Sequence, residues 1–425
     1  MKLFSIAALF ILAVGLAIAD APGGLTLPAG FHATVVADSL GSSIRHLAVR
    51  GNGDIYVSTL DKGIFALHLD ANHKADQIEH FGAVEGGTGI LFYQGNLYAT
   101  TASGVYRFTF STNKELAPER IPENIVEGMA VRDPGFNREN RPLAVDGKGD
   151  LFVGLGGSAN LCVARNSPAA APPGAAPNTP SAAPPVGLKP CPDLVARSGV
   201  WRFSADKLNQ KFPTDGEQLA TGIRDMDALA WSPTDGHLYG IMHARDDSHK
   251  YWPNIISAED DDNIADEMHR ITKGTNFGWP YTYYDGVRKL RLIAPEYGGD
   301  GKTVVPAGIY DTPVLTFQSR RPAPLDLVFY TGDKFPEQYR GGAFIVLHGT
   351  RNQNGYDVVF VPFNHNGVAA EPTIFADGFA GFDHSGTSKA RAKYRPSGAA
   401  VGPDGALYVV DSQVGRVWRI AYGAN

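Results

Sequence analysis

Charged and histidine side chains stand just ahead of several short apolar segments of this sequence. The set comprises Arg45, His46, Glu85, Arg138, Arg141, Arg224, Asp225, Asp227, Lys393 and Arg395, together with the polar Thr88. An arginine fork binds a carboxylate bidentately and keeps its charge at any relevant pH, so several guanidinium groups aimed at one cavity suit an anion with several carboxylates. The alternative interpretation is that each arginine pairs with a local Asp or Glu. The choice depends on whether the fold brings these residues together.

A second candidate site is the acidic run EDDDNIADE, residues 259–267. Carboxylate oxygens clustered in a loop can hold calcium, but this run lacks the positional spacing of an EF-hand loop. The alternative is an acidic loop that faces solvent.

A repeated pattern predicts the elements that position these residues. An apolar strand, a glycine turn, a second strand and a third strand recur six times, beginning near residues 45, 88, 140, 226, 325 and 396. Six antiparallel modules predict an all-β fold, a six-bladed β-propeller whose blades bury their faces against one another. The 49 glycines and 29 prolines agree with many turns and short strands. A tandem of β-sandwiches is the structural alternative.

A closed ring needs a contact that joins the two ends of the chain. The early segment FHATVVA, residues 31–37, is placed to pair with RVWRIAY, residues 416–422, in the last blade. In a propeller, the residues immediately before each innermost strand gather at one mouth of the central channel. The fold therefore predicts that the charged residues named above meet there.

Residues 1–19 have the composition of a secretory signal peptide. They contain one early lysine, an apolar stretch too short to cross a bilayer, and Ala-Ile-Ala before Asp20. No later stretch reaches the roughly eighteen apolar residues of a membrane span. We therefore expect a secreted or periplasmic protein with a single domain over residues 20–425.

The chain holds two cysteines, Cys162 and Cys191, in the third repeat. A Pro/Ala-rich stretch at residues 166–190 separates them, and such a composition cannot build a core. In an exported protein the two thiols can pair, so we predict one disulfide that closes off this excursion. Two unrelated buried thiols are the alternative.

The charge balance restricts the class of partner. The net charge is −6, and the chain has no block of Lys or Arg, which argues against nucleic acid or an anionic membrane. A small molecule is therefore the expected ligand.

Several segments carry a resemblance to a known family. The main ones are GIRDMDALAW (222–231), DEMHRITKGTNFGWP (266–280), YRGGAFIVLHG (339–349) and RPSGAAVGPDGALYVVDSQVGRVWRI (395–420). Together with APEYGGDGK (294–302), they resemble the soluble sugar dehydrogenases that use pyrroloquinoline quinone, in particular the sorbosone dehydrogenase-like branch. The resemblance covers nearly all of the mature chain, and such proteins are six-bladed propellers.

This resemblance implies that pyrroloquinoline quinone is held at the channel mouth by arginines and a calcium ion. It also implies a sugar substrate: a base takes a hydroxyl proton while a hydride passes from the same carbon to the quinone, which an external electron acceptor reoxidises. Asp261 and Asp262 fall near the backbone oxygens that the family turns toward calcium. The cofactor contacts and their sequence neighbours are predicted to be Arg224, Asp225, His348, Lys393 and Arg395.

The sequence departs from the family at the position of the base. Where the family has a histidine ahead of the third innermost strand, FNRENRPLAVDG has Arg138, which offers no lone pair near neutral pH. His46 and Glu139 are the neighbouring groups able to take over the proton. The predicted catalytic positions are therefore His46, Arg138 and Glu139. Asp225 likewise stands where an asparagine is expected.

We therefore predict a secreted quinoprotein that oxidises an aldose, a pyranose or a sorbosone-like aldehyde. Two alternatives stay open. A catalytically impaired propeller would bind a carbohydrate or a protein, and the lost histidine favours it. A calcium-dependent propeller lactonase would place Asp or Glu ligands from several blades on one central ion, which the arginine-rich mouth disfavours.

Overall fold

The computed structural model describes residues 23–82, 86–131, 140–164, 184–317, 322–349, 355–364, 366–367, 369–381 and 392–423. The predicted signal peptide, Glu85, Arg138, Glu139 and most of the Pro/Ala-rich stretch lie outside these residues. Within the described ranges, no helix is long and apolar enough to cross a membrane.

Six antiparallel sheets form the blades of a propeller, which confirms the predicted fold. The first strand is β1 (Phe31–Ala37). Blade one contains β2 (Ile44–Val49), β3 (Ile55–Thr59), β4 (Ile64–Leu69) and β5 (Ala75–Phe81). Blade two contains β6 (Ile90–Tyr93), β7 (Asn96–Thr100), β8 (Gly104–Phe108) and β9 (Glu123–Glu127). Blade three contains β10 (Leu143–Val145), β11 (Asp150–Leu155), β12 (Gly199–Ser204) and β14 (Glu217–Thr221).

The second half of the ring repeats this order. Blade four contains β15 (Met226–Ser232), β16 (His237–Met242), β17 (Asp266–Ile271) and β21 (Leu315–Phe317). Blade five contains β22 (Pro324–Phe329), β23 (Ala343–Leu347), β24 (Asp357–Val361) and β25 (Thr373–Ala376). Blade six contains β26 (Pro396–Val401), β27 (Leu407–Asp411) and β28 (Val417–Tyr422), with β1 as its fourth strand.

Short additional elements decorate the blades. Two short strands extend blades two and three, β13 (Gln210–Lys211) and β18 (Thr275–Asn276). A separate hairpin is formed by β19 (Thr282–Asp285) and β20 (Leu290–Ile293). The helical turns are α1 (Asp193–Ala196), α2 (Ser248–Tyr251), α3 (Ala258–Asp262) and the 3-10 segments Pro295–Tyr297 and Glu337–Tyr339.

The first strand closes the ring, as predicted from the sequence. Strand β1 pairs antiparallel with β28, with Phe31 opposite Tyr422 and Val35 opposite Trp418. The two ends of the described chain therefore share one blade, and the backbone groups on the outer side of β28 are paired instead of exposed.

Apolar faces hold neighbouring blades together. Between blades five and six, Phe344, Phe375 and Trp418 are at most 2% exposed and belong to one core cluster. Burying a large apolar side chain contributes about 1.5–3 kcal/mol. Because the main strand hydrogen bonds stay within each sheet, this packing keeps the strand ends at the channel in register with one another.

Cys162 and Cys191 form the predicted disulfide, which lies between β11 and β12. The hydroxyl of Tyr297 donates to the carbonyls of Cys162 and Leu188, at 3.3 and 3.1 Å. The Gly187 N–H donates to a backbone carbonyl next to Tyr297 at 2.9 Å. Both ends of the excursion are therefore tied to the segment that follows β20.

Candidate active site at the channel mouth

The innermost strands β2, β6, β10, β15, β22 and β26 surround the channel, and their first residues meet at one end, which we call the mouth. Thr88, just ahead of β6, donates its N–H to the carbonyl of Asn140, ahead of β10, at 2.7 Å. On β26, Gly398 lies so close to β2 that a Cβ there would stand 2.5 Å from the Arg45 carbonyl oxygen. These contacts confirm that strand starts far apart in sequence converge.

His46 spans the channel at this level. Its Nδ1 is 3.0 Å from both the carbonyl and the hydroxyl oxygen of Thr88, and its Nε2 is 2.9 Å from the Leu325 carbonyl in blade five. Because a carbonyl only accepts, Nε2 carries a proton. In the neutral ring Nδ1 then holds the lone pair, while the Thr88 hydroxyl beside it donates its own proton to the Asn140 carbonyl at 2.9 Å. The structure thus places His46 at the mouth, buried between blades.

A buried ion pair lies beside His46. The Nδ1 of His243 is 3.0 Å from the carboxylate of Asp227, and its Nε2 is 2.6 Å from the Pro324 carbonyl. Burial disfavours the charged ring, but the attraction of Asp227 prevails and raises the pKa of His243 to about 10. Burial also opposes ionisation of Asp227, yet the neighbouring imidazole and guanidinium groups hold its pKa below 3.8. Both partners are therefore charged at neutral pH, and the pair joins blade four to blade five.

Asp326, on β22, adds a second carboxylate near His46. Its oxygens accept from the N–H groups of Ala399 and Leu327 at 2.8 and 2.9 Å. Burial raises the pKa of Asp326, and the nearby His46 opposes that rise. Sequence reasoning missed both Asp326 and His243. The available signal was a charged residue inside an apolar strand for Asp326, whereas His243 follows the second strand of its blade and not the first.

Arg224 precedes β15 and has a side chain that is 3% exposed. Its Nη2 donates to the Asp246 carboxylate at 2.5 Å. Its Nε is buried and has no hydrogen-bond partner among the residues that the structure describes. A buried donor without an acceptor costs free energy, so this N–H is available to an anionic ligand.

Arg395 and His348 form a second cationic group at the mouth. The Nη2 of Arg395 is 3.0 Å from Nδ1 of His348. Because a guanidinium only donates, Nδ1 is the acceptor, and the proton on Nε2 is donated to the Ser412 hydroxyl at 2.8 Å. Arg395 also lies over the Tyr356 ring, 5.8 Å from its centroid. The structure therefore brings these two predicted cofactor contacts together.

The other predicted mouth residues differ in their surroundings. Asp225 places its carboxylate within 4.8 Å of ligand atoms of Asp227 and His243, so it adds negative charge to the channel pair. Lys393 is exposed, and its ammonium lies over the Tyr394 ring, 5.2 Å from the centroid. The predicted base position, residues 138–139, lies outside the described residues.

The acidic run 259–267 contributes to the short helix α3 and to β17. A capping box closes the N-terminus of α3. Asp261 is buried, and its carboxylate accepts from the Ser248 N–H at 3.0 Å and from Nδ1 of His249 at 2.9 Å. Asp262 ends the helix and is partly buried. The run is therefore built into the protein and is not a purely solvent-facing loop.

Two groups of side chains in the described ranges have metal-ligand spacing, namely Asp225–Asp227–His243 and Asp247–His249–Asp261. Each group comes from blade four and the connection between its second and third strands. Calcium prefers about six to eight oxygen ligands, whereas each group includes an imidazole nitrogen. The carboxylates suit a cation, but these side chains alone do not form a calcium sphere.

The mouth therefore combines two chemical features. Guanidinium donors from blades four and six, Arg224 and Arg395, suit an anion with more than one carboxylate. Behind them, His46 and the Asp227–His243 pair form a buried network in which a proton can be held at a defined ring nitrogen.

Two comparisons identify sequences to which this chain is similar. The family model described as TrAA12-like matches residues 302–423. The chain is 22% identical over 389 residues to a pyrroloquinoline quinone-dependent sugar dehydrogenase of Hypocrea jecorina (strain QM6a), covering 82% of this chain and 74% of that protein.

Solved structures share the architecture. The calcium structure of a Trichoderma reesei carbohydrate-active enzyme of family AA12 has a TM-score of 0.72 at 16% identity, over 95% of this chain and 98% of that chain. The holo form of the pyranose dehydrogenase PQQ domain from Coprinopsis cinerea has a TM-score of 0.69 at 16% identity, over 93% and 97%. The family model and the relative agree with the resemblance of this chain to the pyrroloquinoline quinone-dependent sugar dehydrogenases, and the solved structures confirm the fold.

Proposed function

We propose that this protein is a quinoprotein oxidoreductase that oxidises a sugar, either an aldose, a pyranose or a sorbosone-like aldehyde, with pyrroloquinoline quinone as cofactor. The relative from Hypocrea jecorina is named as such a dehydrogenase, and the Coprinopsis cinerea structure is the holo form of a PQQ domain. The predicted signal peptide and the disulfide support a secreted or periplasmic location. An external electron acceptor would complete the cycle there.

The observation that carries this proposal is the buried and only partly paired guanidinium of Arg224. Its guanidinium is buried at the mouth, one nitrogen is paired with Asp246, and Nε has no partner among the described residues. A ligand carboxylate would satisfy that donor through a charge-assisted hydrogen bond, worth about 1.5–3 kcal/mol.

Arg395 supplies the second contact in this proposal. Its hydrogen bond to His348 fixes the orientation of the guanidinium, and Lys393 adds an exposed ammonium nearby in sequence. This donor set fits a ligand with several carboxylates. Asp225 departs from the fit because its carboxylate opposes an anion, and the charged ring of His243 within 4.8 Å is already paired with Asp227.

The chain must also accept the proton of the sugar hydroxyl. When bound, the quinone supplies the hydride acceptor. Arg138 has no lone pair for the proton. His46, in contrast, holds a lone pair on Nδ1 in its neutral form, and once protonated there it can donate to the Thr88 carbonyl 3.0 Å away. Among the described residues, His46 is therefore our candidate for receiving the proton, and Glu139 is the candidate outside them.

Calcium is proposed near α3, where Asp261 and Asp262 lie. Their carboxylate oxygens suit the ion, while His249, at 2.9 Å from Asp261, does not. If calcium supports cofactor binding, a chelator should weaken quinone affinity and added calcium should restore it. Quinone affinity that is unaffected by the chelator would contradict the calcium assignment.

Titration of the purified protein with pyrroloquinoline quinone, followed by absorbance with and without calcium, tests the proposal. A panel of aldoses, pyranoses and sorbosone is then assayed with an artificial electron acceptor. Saturable quinone binding with turnover of a sugar is the expected result. Saturable binding without turnover of any sugar would support the catalytically impaired propeller, which the arginine at position 138 favours.

Absence of quinone binding would contradict the proposed cofactor. It would leave a propeller that binds a carbohydrate or protein, or a calcium-dependent lactonase, to be tested with lactone substrates. In the described ranges, neither carboxylate–histidine group draws on several blades, and this counts against the lactonase.

A further inference from the structure

The segment Gly157–Asn160 follows β11. Its first residue binds the two backbone carbonyls that flank the Arg224 Cα. The Gly157 N–H donates to the Arg224 carbonyl at 2.8 Å and to the Ile223 carbonyl at 3.1 Å. On the other side of Ile223, the Ser198 hydroxyl accepts the Ile223 N–H at 3.1 Å. Blade three therefore fixes the backbone from which the Arg224 side chain extends.

Asn160 reaches the other end of the same arginine. Its Nδ2 donates to the Asp246 carbonyl at 2.7 Å, and its Oδ1 accepts the Asp246 N–H at 2.8 Å. Both backbone groups of Asp246 are thus bound by one amide. The carboxylate of Asp246 in turn accepts from Nη2 of Arg224 at 2.5 Å.

Asn160 is itself held from behind. The Trp279 indole N–H donates to the Asn160 carbonyl at 3.2 Å. The ring of Trp279 lies against Gly157, where an added Cβ would stand 2.6 Å from it. The disulfide at Cys162 fixes the chain two residues later. Asn160 therefore belongs to a segment with little freedom to move.

We propose that Asn160 is a positioning residue for anion binding at Arg224, an inference that rests on the proposed function. By fixing Asp246, the Asn160 amide holds Nη2 of Arg224 in place and leaves the buried Nε as the donor that faces a ligand. A preset donor loses less side-chain freedom when the anion binds, so its affinity is higher.

The test compares quinone dissociation constants by absorbance titration. Asn160→Ala should weaken binding about tenfold, the lower end of what removing a supporting contact typically costs. The matched control is Asn52→Ala. Asn52 also binds a loop aspartate, Asp54. It lies in the turn between β2 and β3, however, at the end of these strands that is opposite the mouth. The quinone affinity of Asn52→Ala should stay within about twofold of that of the wild type, since surface substitutions of this kind have small energetic effects.

A double-mutant cycle separates positioning from general destabilisation. In an Asp246→Ala background the carboxylate that binds Arg224 is absent, so Asn160 can no longer act on Arg224 through it. Asn160→Ala should then change quinone affinity little. An equal loss in both backgrounds, or the same loss in Asn52→Ala, would overturn the proposal.

A second readout does not use the quinone. Phenylglyoxal labelling followed by peptide mass spectrometry reports the reactivity of Arg224 relative to Arg107, which pairs with Glu123 in blade two. Labelling of Arg224 should increase in Asn160→Ala. If the wild type does not bind quinone, the proposed function fails, and this ratio alone decides: an increase supports positioning by Asn160, and an unchanged ratio overturns it.

Discussion

Replacing Arg224 by glutamine removes the guanidinium charge but keeps a polar side chain at the mouth. In the wild type this side chain is 3% exposed, and Nε has no partner in the described part of the chain. Solvent therefore screens a bound carboxylate from Arg224 only weakly. The substitution removes the donor that we propose for the quinone and leaves Asp246 without its cationic partner.

The size of the effect follows from these contacts. A lost hydrogen bond between two charged groups costs about 1.5–3 kcal/mol. This corresponds to a dissociation constant about 10- to 150-fold higher. Because the Asp246 carboxylate loses its cationic partner in the variant and then repels the bound anion, we expect the upper half of that range.

The assay is the same absorbance titration, with Arg107→Gln as the control. Arg107 is also paired with a carboxylate, Glu123, at 2.8 Å, but it lies on β8, the third strand of blade two, away from the channel. The Arg107→Gln variant should bind quinone with the affinity of the wild type. Equal affinities of the two variants would refute the assignment of Arg224 to the cofactor, and thermal unfolding of both proteins would show that each is folded.

Three further predictions concern the channel, the disulfide and the base. The pKa of His243 rises from 6.5 to about 10 on folding, so its stabilisation is complete below about pH 6.5 and is lost as the pH rises toward 10. The unfolding midpoint should therefore fall over this window, and less steeply in His243→Asn; parallel curves would contradict the ion pair with Asp227. Reducing the disulfide, which closes a loop with a sequence separation of 29, should lower the free energy of unfolding by about 3–4 kcal/mol, measured by urea titration; an unchanged value would show that the bond adds no stability. Arg138→His should raise sugar turnover of the quinone-loaded protein at least about tenfold with unchanged quinone affinity; a fast wild type that is indifferent to this change would show that the base lies elsewhere.

The sequence alone determined the six-bladed fold and its closure. Strands such as β23 and β27 are buried along their whole length, so each sheet needs a partner on either side, and a closed ring of blades provides this. The pairing of residues 31–37 with 416–422 followed from the same requirement, because an open ring leaves a strand edge without hydrogen-bond partners. The disulfide followed from two cysteines in a chain with a predicted export signal.

Residue types before the inner strands also predicted that Arg224, Arg395 and His46 would lie at the mouth. Their partners could not be predicted in the same way. The pattern of apolar and polar residues in a strand does not report the distance between side chains of different blades. That distance depends on how every intervening blade packs.

Only the tertiary structure decided which groups are joined across the ring. It placed His46 against the carbonyl of Leu325, 279 residues away, and Asn160 on the backbone of Asp246, 86 residues away. It also paired His243 with Asp227, so that a charged histidine links blade four to the Pro324 carbonyl of blade five. Such contacts arise from the closed ring of blades, in which residues remote in sequence share one buried channel, and no local pattern of residues encodes them.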